Sequence, residues 1–140
     1  MKGFYSMPNK DLSNKWLNFA KMDYNVAVHD TSFHPIPVEI ICYHCQQSAE
    51  KALKAVLAYN DAVIPHSHDL YRLLEQCAVF SPALMSFSTK ANHLTDYAAV
   101  TRYPSHIELN ETDMKLALDY ADKILQAVDD LLNVQTPDGQ

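Results

Sequence analysis

The chain has 140 residues, 48% of them hydrophobic, and a formal charge of −6. That length and apolar mass set one domain with a real core and exclude a disordered chain. The only glycines are Gly3 and Gly139, so no interior glycine serves a tight hairpin or a Gly-rich phosphate loop, which argues against an all-β fold and excludes P-loop and Rossmann nucleotide sites.

Taken in order, residues 1–8 form a loose start and a first helix runs from about Asn9 to Asp30. Leu12, Trp16, Phe19, Ala20, Ala27 and Val28 make its apolar stripe, with Asp23 on the same stripe. A charge there needs a partner or water. Thr31 to Pro37 carries two prolines and is a connection. The stretch Pro37 to Asn60 is the most regular. Val38, Ile41, Cys42, Cys45, Ala49, Ala52, Leu53, Val56 and Leu57 recur at the helical period. Pro37 suits the first helical position and Asn60 the left-handed residue after the end. Ala49 and Ala52 admit a close neighbour, and Glu50 and Lys54 form a favourable pair on the polar side. This is the central helix of a bundle.

Pro65 breaks the next link. Ser67 caps a short helix from about His68 to Val79, presenting Leu70, Leu73, Leu74 and Cys77. Ser81-Pro82 starts a fourth, running to about Val100 with Leu84, Phe87, Ala91, Leu94 and Ala98 on one face. The stretch 101–111, TRYPSHIELNE, breaks the pattern at Pro104. Asn110 or Thr112 caps a last helix to about Asn133, and the polar tail 134–140 frays. The expectation is a single all-α domain over 1–140, with its core at about 9–133. Its architecture is an up-and-down antiparallel bundle of four to five helices.

The acidic balance weighs against a broad electrostatic grip on nucleic acid and leaves room for a local basic pocket. Three cysteines, with no leader-like segment and no long apolar run, fit a cytoplasmic protein with reduced thiols and no membrane span. Cys42 and Cys45 share one helical face, the apolar one, so packing is the plain reading and a metal site would need further ligands from His44, His66 or His68. His66 and His68 flank a helix start, as a polar pocket wall or simply near the surface. Neither a metal nor another cofactor is expected.

Arginine is scarce, with only Arg72 and Arg102. Arg102 sits where a helix breaks, and His106 follows just beyond Pro104. A guanidinium forks onto a phosphate, and a nearby imidazole can move the proton of a ribose 2′-hydroxyl or of a leaving oxygen. The plainer alternative pairs Arg102 with a carboxylate such as Asp23 and leaves His106 exposed.

Three segments together resemble the HEPN domain family. They are Ala20-x-x-Asp23-x-x-x-Ala27; the run Gln46-Gln47-Ser48-Ala49-Glu50-Lys51-Ala52-Leu53-Lys54-Ala55 with His68-Asp69-Leu70; and Tyr97 with Arg102-Tyr103-Pro104. The resemblance implies a helical bundle that usually forms a homodimer. It also implies frequent partnership with a minimal nucleotidyltransferase in toxin–antitoxin systems. Active members are metal-independent endoribonucleases that use an arginine and a following histidine. Carried over here, Arg102 and His106 would be catalytic, and Arg102, Tyr103, Tyr97 and Asp23 would bind the nucleotide or RNA phosphate. His106 follows Arg102 after three residues, fewer than the family's spacing. Two readings therefore stay open: a ribonuclease that takes the shorter spacing, or a non-catalytic interaction module.

Overall fold

The apolar pattern of the second helix places it at the centre. In the computed structural model, which describes residues 9–99 and 108–135, that helix, α2 (Val38–Tyr59), is buried on every side from Ala52 to Tyr59. A helix that buries its whole circumference belongs inside a bundle. Around it lie α1 (Lys10–Asp30), α3 (Leu70–Ala78), α4 (Ser88–Thr95) and α5 (Glu111–Gln135). The described residues hold these five α-helices, short 3₁₀ turns and no strand. None of the helices is long and apolar enough to cross a membrane.

The seam between α1 and α2 is narrow because its residues are small. Ser13 donates its hydroxyl hydrogen to the Ala55 carbonyl, and Ser48 donates to that of Ala20, each at 2.8 Å. A serine reaches the backbone of a facing helix only where the two backbones approach closely. The pairs 13–55 and 20–48 also fix the helices as antiparallel. On its other side α1 meets α5, tied by a Lys21–Asp129 ion pair at 3.2 Å.

The apolar stripe expected on α1 divides in two. Ala20 and Ala27 face the core with Ser13 and Leu17, but Leu12, Phe19 and Val28 are 38%, 52% and 45% exposed. The cause is angular. Positions 12, 19 and 26 lie one residue, about 100°, round the helix from 13, 20 and 27. Only the series of small residues fits the seam.

Helix ends follow local chemistry with small shifts from expectation. Pro37 caps α2 from just outside it, and Asp61, not Asn60, takes the left-handed conformation at φ 54°. Asn60 turns its amide back to the Val56 carbonyl at 2.8 Å. The cap of α3 is Asp69, whose carboxylate accepts from the backbone N–H of Tyr71 and Arg72. Ser67, expected there, accepts instead from the N–H of Asp69. The fourth segment is helical throughout residues 82–99 as expected, but only its middle is α-helix. Pro82–Phe87 and Asp96–Ala99 are 3₁₀ turns on either side of α4. α5 begins with a reciprocal cap: Asn110 accepts from the Asp113 N–H and Asp113 from that of Asn110, both at 2.9 Å.

Between α2 and α3, residues 62–69 are an extended strap. It leaves the end of α2 at Ala62, whose N–H donates to Leu57, and returns along the helix until Gln46 donates to the His68 carbonyl. α3 therefore starts beside the first half of α2 and runs with it, ending where the Cys77 thiol reaches the Leu53 carbonyl.

The close α1–α2 seam makes Ala20→Leu an overpacking substitution. It should cost about 1–3 kcal/mol, read as a lower urea midpoint with the slope retained. An unchanged midpoint would mean the seam has slack.

Candidate functional site

Polar side chains on a buried helix must find partners within the fold, and on α2 they form two clusters, each around a carboxylate. Asp23 of α1 centres the first. Its Oδ1 accepts from Nδ1 of His44 at 3.0 Å and its Oδ2 from Nζ of Lys51 at 2.6 Å. Glu50 centres the second and deeper one. Oε2 accepts from Nζ of Lys54 at 2.8 Å, and Oε1 accepts from Nδ1 of His68 at 2.8 Å and Nε2 of Gln46 at 3.2 Å. Gln47 closes the set by donating to Gln46 at 2.8 Å. The Nζ of Lys54 also lies 5.4 Å from the centre of the Trp16 ring, a cation–π contact.

The two clusters differ in depth. The Glu50 and Lys54 side chains are only 5% and 9% exposed, whereas that of His68 is 50% exposed. Burial alone would push the Glu50 carboxyl upward. Hydrogen bonds from Lys54, His68 and Gln46 and the charge of Lys54 outweigh it and hold the carboxyl below its ordinary value of 4.5. His68 is thus held at Nδ1 by a buried carboxylate, with its ring at the surface and Nε2 without a partner among the described residues. Carboxylate–imidazole pairs of this kind fix the tautomer and orient the second nitrogen for proton transfer.

The residues expected at the site fall in three places. Asp23 joins the first cluster, paired with His44 and Lys51. Tyr97 is buried in the 3₁₀ turn after α4, its hydroxyl 3.0 Å from Nε2 of His93, whose ring stands edge-on to Tyr120. Burial is the main cause that raises its phenol pKa, with Cys42 and Asp113 next. Arg102, Tyr103 and His106 lie outside the described residues. The described chain on either side of them meets the first half of α2. Tyr97 and Asp113, in the first turn of α5, both lie within electrostatic reach of Cys42. Thr95, two residues before Tyr97, accepts from the N–H of Leu70, two residues after His68.

Cys42, Cys45 and Cys77 are buried free thiols. Burial pushes Cys42 and Cys77 up to about 12 and Cys45 higher still, so they stay protonated and inert. Among the described residues no three His, Cys, Asp or Glu side chains converge as a metal site.

The Gln46–Glu50–His68 network was not read from the sequence, where Glu50 and Lys54 look like a surface pair. The available signal is the ridge 46–50–54, polar at every fourth residue and continued into Ala52 to Tyr59, the stretch that is otherwise apolar and buried.

Removing the Glu50 carboxylate leaves Lys54 and His68 unpaired, so Glu50→Ala should cost on the order of 3–5 kcal/mol by urea unfolding. The depressed carboxyl contributes stability that is complete above the ordinary glutamate range and is lost as pH falls through its folded value. Glu50→Gln should therefore flatten the acid limb of the stability–pH curve. An acid limb identical to that of the parent protein would mean that another carboxylate sets it.

The HEPN domain family model matches residues 13–131. The fold is similar to the crystal structure of TT1696 from Thermus thermophilus, at 24% identity and a TM-score of 0.74 over 84% of this chain and 96% of that one. No curated protein matches the chain. With a family match that starts in α1 and runs into α5, on a helical bundle centred on α2, the chain belongs to the HEPN domain family.

Proposed function

We propose that this HEPN domain is a homodimer that binds the phosphate of an RNA strand or a nucleotide through Arg102. On this reading it is the metal-independent ribonuclease of a toxin–antitoxin pair. The guanidinium of Arg102 holds the phosphate and the charge that builds on it. One histidine takes the proton of the 2′-hydroxyl as its oxygen attacks phosphorus, and a second, protonated histidine gives its proton to the 5′-oxygen as the P–O5′ bond breaks, leaving a 2′,3′-cyclic phosphate.

The observation that carries this reading is His68. A half-exposed imidazole is anchored at Nδ1 to a buried glutamate, which orients the ring and leaves Nε2 for proton transfer. It sits two residues from the contact that ties α3 to the end of α4, and the Thr95 of that contact precedes Arg102 by seven residues in the sequence. His106 and His68 are thus the two candidates for proton transfer, and Asp23, Tyr97 and Tyr103 support the pocket.

The test uses fluorescently labelled single-stranded RNA. Arg102→Ala should weaken binding by about tenfold or more with the helical circular dichroism retained. His106→Ala and His68→Ala should reduce cleavage more than binding. Binding and cleavage that survive Arg102→Ala would remove the arginine from the mechanism.

A second reading, a non-catalytic partner of a minimal nucleotidyltransferase, draws on a different surface. Val79 is 77% exposed. Close by in sequence, Leu84 and Phe87 share with Ala127 and Leu131 an apolar groove of about 420 Å³. Protein that cleaves no RNA but copurifies with a co-expressed transferase, and loses it on Val79→Asp, would favour this reading.

A further inference from the structure

Between α4 and α5 the chain sets aromatic rings and a lysine along one seam. The two helices run antiparallel: Tyr97 lies within electrostatic reach of Asp113, His93 meets Tyr120, and Phe87 shares a groove with Ala127. Lys90, His93 and Tyr97 follow one another at steps of three and four, so they lie on one face of α4 and the turn after it. The His93 ring is edge-on to both tyrosines, its centre 5.7 Å from that of Tyr97 and 5.2 Å from that of Tyr120. The ammonium of Lys90 lies over the Tyr120 ring, 5.4 Å from its centre. Tyr97 is buried, whereas Lys90, His93 and Tyr120 are only half-buried. Acidic residues outnumber basic ones by 17 to 11, yet Lys90 has no carboxylate partner among the described residues. Its charge rests on a ring instead.

We infer that this seam is a stacking platform for an unpaired nucleobase, with Lys90 holding the adjoining phosphate. The inference rests on the nucleotide reading above and adds to it a base contact built wholly from α4, the turn after it and α5. A cation over a partly exposed ring is held weakly, and a base stacked on an aromatic face is held more firmly. An arriving base therefore displaces the Lys90 ammonium from the face of Tyr120. The flexible stem of the lysine then carries the released charge to the phosphate attached to that base. His93 is the fixed wall of the platform, because its Nε2 lies 3.0 Å from the buried Tyr97 hydroxyl, which holds the ring against Tyr120. Leu116, one turn before Tyr120 on α5 and 36% exposed, extends the apolar floor. Stacking needs no broad positive field, so the platform suits a chain of charge −6. A duplex keeps its base faces covered by their neighbours, so the ligand is a single strand or a free nucleotide. Every base offers a face, so base identity should matter little.

The probe is a short single-stranded RNA carrying one 2-aminopurine, a base whose fluorescence falls when it stacks. Binding to the full chain should quench it. Tyr120→Leu keeps apolar bulk but removes the ring; it should weaken binding about tenfold and abolish the quench, while Tyr120→Phe should keep both as in the parent protein. Lys90→Ala should retain the quench and lower the slope of log affinity against log salt by about one. That slope tests the platform without altering its packing, and an unchanged slope would remove Lys90 from it. Parent-like binding and quench in Tyr120→Leu, with binding weakened in Arg102→Ala, would overturn the platform and spare the phosphate reading. Tyr120-dependent binding that survives Arg102→Ala would sustain the platform and remove the arginine. A parent protein that binds neither this RNA nor adenosine monophosphate would overturn both. Competition with adenosine monophosphate separates the two sources of the ligand. Tyr120-dependent affinity within about tenfold of the strand's would assign the platform to a free nucleotide, and a wider gap would assign it to a strand.

Discussion

A buried carboxylate on the central helix constrains much of what surrounds it. Glu50 cannot stay charged inside the bundle without compensation, since isolated charges are strongly disfavoured away from water. Two partners come from its own helix, Gln46 and Lys54, at one turn to either side. The third, His68, comes from the strap. The chain after α2 therefore does not turn directly into the next helix. It travels back along α2 until His68 meets Glu50, and α3 begins there, capped by Asp69. The family-like run of residues 46–55 thus acts at a distance in sequence, by setting where the following helix starts.

The other constraint is steric, and it explains why α1 has two apolar faces. The seam with α2 accepts Ser13, Ala20 and Ala27 because serine hydroxyls and α-carbons must come within reach of the opposite backbone. Phe19, Met22 and Val26 are too large for that seam, and one helix cannot turn both series inward. Large apolar residues kept on an outward stripe, in a chain of net charge −6, are an unusual use of surface.

The helices were legible because their signal is local. The period of α2, the Asn110 cap of α5 and the breaks at Pro65 and Pro82 each depend on a few neighbouring residues. What escaped depends on distant ones. Nothing near residue 19 tells that its stripe faces outward, since that follows from the smallness of Ser13 and Ala20 against α2. The choice of Asp69 over Ser67 as cap depends on where the strap ends. The break-up of the fourth helix into 3₁₀ turns and α4 likewise follows from seating Leu84, Ala91, Leu94 and Tyr97 against α2 and α3 at once. The site was legible in part. Asp23 stood out as a charge on an apolar stripe, but its partners His44 and Lys51 belong to α2 and only the antiparallel seam brings them to it.

That seam also ties the first cluster to the rest of α2. Asp23 lies on α1, while His44 and Lys51 lie two turns apart on α2. Both are only about a quarter exposed, so their hydrogen bonds to Asp23 work in a partly dry setting, where charge interactions are stronger. The cluster therefore pins the first half of α2, the part that Tyr97 and Asp113 approach, to α1. Loss of the Asp23 carboxylate would be felt there first, because His44 and Lys51 would lose the acceptor that holds both of them to α1.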